Sequence, residues 1–336
     1  MLNVLFAMLV IFIHVSSKPL MSLRHEGLPY LVVMVAWRLS SFATQGFIFL
    51  SGFKLMYNLG ERLNLKKFYL GKVKKVLLPY ILWVIIYYGL FAFLDFLPQQ
   101  NHFTAIVKHI LLGDLVGHMY FIPVIMQFYL LAPLWIWLQK KVNPSATIIC
   151  SLLLTFAFSL LPTMLRWVNP DWIFTGNDRL VTSYLIYFAI GIFAGANAEK
   201  FEELTKKYFG RITTAFIAVG VIDLVMSYVC YRAFAKIYFL DQVHILYSIL
   251  AILFCYGLAG KMTGLSENKM VRQIDGASYY IYLSHCFFIY VINHLMAYLE
   301  LYAEKITYPI RIVFVYTATI LVCVGYMKIK SRKKHK

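Results

Sequence analysis

Apolar residues come in long runs separated by short polar stretches, at approximately 2–17, 32–57, 76–96, 119–138, 146–165, 180–198, 211–231, 240–260, 278–299 and 308–327. A run of about 20 apolar residues is what a helix needs to cross the hydrocarbon core of a bilayer, and recurring runs of this length exceed what core helices or strands require. The pattern predicts an all-α, polytopic membrane protein with about ten transmembrane helices, forming a single integral membrane domain over residues 1–336. The first run lacks a basic leader and an A-x-A site, so it is expected to remain as a span rather than be cleaved as a signal peptide.

The polar stretches set the orientation. Of the 32 Lys and Arg residues, 21 fall in the loops after the even-numbered runs and in the C-terminal tail, against 8 in the opposite loops. Cytoplasmic loops carry the excess of basic residues, so both termini are expected in the cytoplasm. His14 then lies near the outer face and Asn3 near the inner one.

Composition sharpens this picture. The chain is 61% apolar and only 14% charged, against about 25% charged in a soluble domain. A net charge of +17 would raise the question of nucleic acid in a soluble chain. Here the positive-inside pattern accounts for it, so the expected partner is the lipid bilayer and no nucleic-acid partner is expected. The five cysteines, Cys150, Cys230, Cys255, Cys286 and Cys323, all lie in apolar segments without a C-x-x-C pair. They read as small packing residues rather than disulfides or metal ligands, and no metal is expected.

Polar side chains inside the runs are the candidate chemistry, because such groups are costly in a membrane and tend to face a cavity or a partner helix. His14 and Asn3 are eleven residues apart, which is about three turns plus 20°, so they share one helix face roughly 16 Å apart. Either His14 is an interfacial histidine bonded to a neighbouring helix or it serves a path through the membrane. Arg38 enters the second run from its outer side, and could snorkel to headgroups or turn inward towards an anion. Ser51-Gly52, within Phe47-Ile-Phe-Leu-Ser-Gly-Phe53, forms a close-approach notch for another helix, and Gly191 and Gly195 form a small-xxx-small pair. In Lys72-Val-Lys-Lys-Val-Leu-Leu-Pro-Tyr80 an α-helix would put Lys72 and Lys75 on one face. There, with Lys74, they could bind phosphates or anionic lipid.

His118 opens the fourth run, at the outer level expected for His14. Gln127 is embedded between Pro123 and Pro133, where freed backbone carbonyls invite polar partners. Asp223, Asp241 and His244 add polar groups in the seventh and eighth runs. Ser284 and His285 lie in the ninth, whose start at 278 puts His285 in the inner part of the membrane.

Taken in order, these motifs resemble the acyltransferase-3 family of integral membrane O-acyltransferases. The resemblance runs over nearly the whole chain. It rests on His14, the F-I-F-L-S-G-F run, the basic pair before Pro79-Tyr80, His118 with Gln127-Phe-Tyr-Leu-Leu-Ala-Pro133, the Tyr-Phe-Ala-Ile-Gly run at 187–191, and Tyr280-Ile-Tyr-Leu-Ser-His285. This chain departs from the family pattern at three points. Asn3 occupies the position of the first-helix arginine of R-x10-H, Lys72-Val-Lys-Lys75 replaces R-x-x-R, and Cys286 follows His285 where proline is usual.

The resemblance implies transfer of an acyl group, acetyl or succinyl, from cytoplasmic acyl-CoA to a hydroxyl outside the membrane. The expected acceptor is an exopolysaccharide or another cell-envelope glycan, and the expected location a bacterial plasma membrane. The CoA phosphates are expected on Lys72, Lys75 and Lys74. His14 is the expected general base or transient acyl carrier, with Arg38 or His118 holding the oxyanion or orienting it. Asn3, Ser51, Gln127, Ser284 and His285 are the remaining candidates for substrate contact or structural support. The alternative is a transporter or flippase of polysaccharide or lipid-linked sugar.

Overall fold

The computed structural model describes residues 1–59, 64–97, 102–169, 171–172, 176–233 and 237–332. Arg62, Lys236, Lys333, Lys334 and Lys336, counted above among the loop charges, lie outside the described residues. Every regular element among the described residues is helical. Among the described residues eight helices are long and apolar enough to cross a membrane, and up to ten if each of two sharply bent helix pairs is one span. A membrane interior offers no water to backbone N–H and C=O groups, and helices satisfy these groups within one segment.

Several boundaries differ from the sequence pattern. The first run does not stop at Ser17: Leu2–Val15 is followed at once by Ser17–Ser22, giving a 21-residue span. The third begins in the basic stretch, so that one 29-residue span covers Leu65–Phe93. The fourth bends by 54° between Phe121–Leu130 and Ala132–Lys141, where Pro133 cannot donate a backbone hydrogen bond. The sixth bends by 108° into the short helix Ala198–Lys207. His102–Leu112, between the third and fourth apolar runs, is a short apolar helix.

The chain divides into two compact units, Met1–Phe47 with Glu202–Lys336, and Ile48–Phe201. In the first unit Leu2–Val15 packs against Leu28–Ser40, Leu240–Lys261, Lys269–Tyr298 and Glu304–Arg332. Of these, Lys269–Tyr298 and Glu304–Arg332 also pack on each other. Two buried guanidiniums are held there by acids. Arg311, fully buried, donates from Nε to Asn293 Oδ1 at 2.8 Å and meets Glu304 at 3.2 and 3.3 Å. Arg38 is treated below.

In the second unit the two glycine motifs read from the sequence meet each other. A Cβ on Gly52 would lie 2.6 Å from the carbonyl oxygen of Phe188, and Cβ atoms on Gly191 and Gly195 would strike the carbonyls of Phe49 and Phe53. Small residues let helix backbones approach closely, and dispersion across that contact is what associates helices when lipid tails are as apolar as the side chains.

This contact yields a stability prediction. Gly191→Val should destabilise the protein by about 1–3 kcal/mol or more through overpacking, read as a lowered melting temperature of the detergent-solubilised chain. Gly71→Ala, where nothing lies within 4 Å of the added Cβ, should leave it unchanged or slightly raised.

Candidate functional site

The site is built on two helices that run side by side in the same direction. Asn3 Nδ2 donates to Asp275 Oδ1 at 3.1 Å. One helix stretch further on, the rings of His14 and His285 lie 5.1 Å apart, tilted by 45°. The spacings from Asn3 to His14 and from Asp275 to His285 are eleven and ten residues, so two polar levels match along one helix pair. His285 therefore stands beside His14 rather than at a different depth. The reason is its helix, which starts at Lys269 and not near 278, so that His285 is sixteen residues in.

His285 is fully buried, and His14 is half-buried. The Nδ1 atom of His285 lies 2.8 Å from the Tyr282 carbonyl oxygen and 3.3 Å from that of Ile281. A carbonyl only accepts, so the hydrogen-bond network assigns the proton to Nδ1 and makes Nε2 the acceptor nitrogen. Cys286 Sγ is 3.3 Å from that Nε2. One ligand atom each from His14, His285 and Cys286 falls within 4.8 Å of the others, and this is the one such group of three found among the described residues. Two imidazoles and a sulfur are a donor set suited to a soft metal ion, and equally a nucleophile and two bases.

The neighbouring candidates have structural partners. Ser284 Oγ is 3.2 Å from Cys323 Sγ, a hydrogen bond between Lys269–Tyr298 and Glu304–Arg332. Arg38 is buried in the first unit, with Nε and Nη2 donating to the two carboxylate oxygens of Asp223 at 2.8 and 2.7 Å. His244 Nδ1 lies 3.2 Å from the same carboxylate. Arg38 thus neither reaches for headgroups nor presents a bare guanidinium: its fork is filled by an acid from Phe209–Ala233. Sequence reading noted Asp223 and His244 but not that they converge on Arg38.

In the second unit, His118 is buried with its ring 6.0 Å from that of Tyr87. Gln127 is pinned at both ends of its amide, donating from Nε2 to the Arg179 carbonyl at 2.8 Å and accepting at Oε1 from the Val181 N–H at 3.0 Å. It thereby clamps the chain leading into Leu185–Ala196 against Phe121–Leu130. Ser51 is half-buried beside the glycine contact.

The basic stretch departs from a regular helix. Leu65–Lys72 passes through a π turn, Val73–Leu77, before Leu78–Phe93. The Leu78 N–H bonds to the Val73 carbonyl, an i→i+5 link. Pro79 offers no N–H to the Lys75 carbonyl, and a π turn is the local way to carry the ladder past that gap. In the wider turn the α-helical rule that puts Lys72 and Lys75 on one face no longer holds.

Lys72 Nζ lies over the Tyr129 ring, 3.6 Å from its centroid, and 5.2 Å from that of Phe68. Lys74 and Lys75 are exposed. Lys74 instead joins Asn64, Lys66, Lys67, Leu70 and Gly71 around an open groove of about 420 Å³. Lys66 and Lys67 were counted among the loop charges but not picked as ligands. The signal that could have found them is spacing: Lys67, Gly71 and Lys74 recur at four and three residues.

Comparison with known proteins adds the following. An acyltransferase-3 family model, described as an acyltransferase domain, matches residues 2–328. A Staphylococcus aureus (strain N315) protein named "Probable poly-beta-1,6-N-acetyl-D-glucosamine export protein" is 21% identical over 342 residues, covering 96% of this chain and 90% of its own length. A Bacillus subtilis (strain 168) protein named "Putative membrane-bound acyltransferase YfiQ" is 27% identical over 305 residues, covering 87% of this chain and 80% of its own length. No solved structure matches.

The Arg38 cluster gives a second prediction. Arg38→Met removes both guanidinium hydrogen bonds from buried Asp223, leaving it His244 as a partner, and should cost about 3–5 kcal/mol, whereas Arg38→Met combined with Asp223→Leu should recover most of that loss. Thermal unfolding of the two variants in detergent checks it. A single variant as stable as wild type but inactive would place Arg38 in the chemistry instead.

Proposed function

Because this chain belongs to the acyltransferase-3 family and is a multi-pass membrane acyltransferase, we propose that it moves an acetyl or succinyl group from cytoplasmic acyl-CoA to a hydroxyl of an envelope glycan outside. The observation that carries this reading is the His14–His285 pair, two imidazoles 5.1 Å apart on membrane helices. An imidazole can take a proton from a hydroxyl and return it within one reaction. His14, the less buried of the two, takes the base role towards the acceptor.

The donor's phosphates are assigned to the groove lysines, Lys66, Lys67 and Lys74, with Lys75 beside them. Lysines act on phosphate as point charges, so the loss of the arginine fork at 72 and 75 weakens geometric selection more than attraction. Lys72 is assigned to holding this segment through the Tyr129 ring, a cation–π contact of about 0.5–2 kcal/mol. Arg38 and Gln127 are assigned structural roles, as is Asn3, whose amide ties the two site helices together. The excess of Lys and Arg in alternate loops supports cytoplasmic termini, and the longer span Leu2–Ser22 sets His14 near its middle rather than at the outer end that the shorter run 2–17 implies.

A glycan acceptor is favoured by the Staphylococcus relative, whose name specifies poly-beta-1,6-N-acetyl-D-glucosamine. The same name specifies export, which keeps a second reading in view: movement of a polysaccharide without acylation.

Inverted membrane vesicles given acyl-labelled acetyl-CoA or succinyl-CoA separate the two. Label appearing on glycan in the lumen supports transfer, and glycan appearing there unlabelled supports export. His14→Ala should lower the transfer rate by about 10²–10⁴-fold, the usual contribution of a general base. Replacing Lys66, Lys67 and Lys74 together by Ala should raise the KM for acyl-CoA with a smaller change in kcat. Full activity of a folded His14→Ala variant would remove the base assignment.

A further inference from the structure

Cys286 has no part in the chemistry assigned so far. It is buried, with Sγ 3.3 Å from His285 Nε2. His285 is itself held by the Tyr282 carbonyl at Nδ1, 2.8 Å away. Nucleophile, base within hydrogen-bond reach, and a third group fixing the base's orientation are the three parts of covalent catalysis. The His14 ring lies 5.1 Å from that of His285, and its ligand atom falls within 4.8 Å of those of His285 and Cys286. A single-step transfer needs only one base; this site has two, and a thiol.

Building on the function proposed above, we propose that Cys286 is an acyl-carrying nucleophile and that the two histidines serve separate half-reactions. In the first, His285 Nε2 takes the thiol proton, Sγ bonds to the carbonyl carbon of the acyl thioester, and the carbon–sulfur bond to the donor breaks. The departing donor thiolate takes the proton from His285 and leaves as a free thiol. One thioester replaces another, so no oxidant or energy source is required. In the second, the acceptor hydroxyl gives its proton to His14 as its oxygen attacks the same carbon, the bond to Sγ breaks, and that proton returns to the sulfur. The products are an ester and free Cys286. A covalent stop of this kind lets the donor depart before the acceptor engages, so the two substrates need never occupy the site together.

The test uses the full chain in nanodiscs, with chelator present and no acceptor, incubated with acyl-labelled acetyl-CoA and separately succinyl-CoA. The expected result is label on the peptide containing Cys286, released by neutral hydroxylamine and chased onto glycan when acceptor is added. Cys286→Ala should carry no label and transfer at least about 100-fold more slowly, on the scale of losing a catalytic group. Cys286→Ser, which keeps the size of the side chain, should retain label as a hydroxylamine-resistant ester that chases slowly. Wild-type transfer without any protein-bound label, label mapped to another residue, or a Cys286→Ala variant at wild-type rate would each overturn the relay while leaving the acyltransferase reading intact. Absence of both label and transfer in the wild type would overturn the relay together with the function on which it rests.

Discussion

The structure of the first unit depends on polar pairing between Leu2–Val15 and Lys269–Tyr298. In hydrocarbon an amide or imidazole cannot fall back on water, so each must meet a partner on a neighbouring helix. Here the partners come at two levels, Asn3 with Asp275 and His14 with His285. A slip of one residue would rotate one helix by about 100° against the other and break both levels at once. The polar pairs add to the register, and the chemistry proposed for His14 would inherit its geometry in part from the link at Asn3.

The same constraint explains the buried charges elsewhere in that unit. Arg38 with Asp223 and His244, and Arg311 with Glu304 and Asn293, are closed clusters in which each guanidinium meets an acid. Lys18 lies 3.7 Å from Glu304 as well. Such clusters are weak sources of stability compared with apolar packing of equal volume, but breaking one is expensive. Their effect is to penalise arrangements of these helices other than the native one. The His14 site differs in kind: its groups are a thiol and two imidazoles, which can exchange protons with a substrate.

Much of this was legible in the sequence. The apolar runs located the spans because the bilayer imposes one length on all of them, and Gly52, Gly191 and Gly195 declared a close contact because nothing else lets backbones approach so nearly. His14 and His285 were visible as costly groups in apolar surroundings. What periodicity could not supply was the partner of each group. Arg38 meets an acid 185 positions away, and no local pattern encodes that. The depth of His285 is not legible because Lys269–Tyr298 begins with polar residues that look like loop. Lys72 and Lys75 share a face only in an unbroken α-helix, and the proline four positions beyond Lys75 is the sign that the ladder changes there.

That widened turn at Val73–Leu77 has a bearing on how the basic edge could diverge among related chains. Relative to an uninterrupted α-helix it holds one surplus residue. Deleting that residue would remove the wide turn and swing Leu65–Lys72 by about 100° about its axis. The cations around the groove would then point elsewhere without a single lysine being replaced. The donor affinity proposed for this edge would therefore be indexed by the length of the segment as well as by its composition, and insertions or deletions between positions 72 and 79 would retune it as effectively as substitutions.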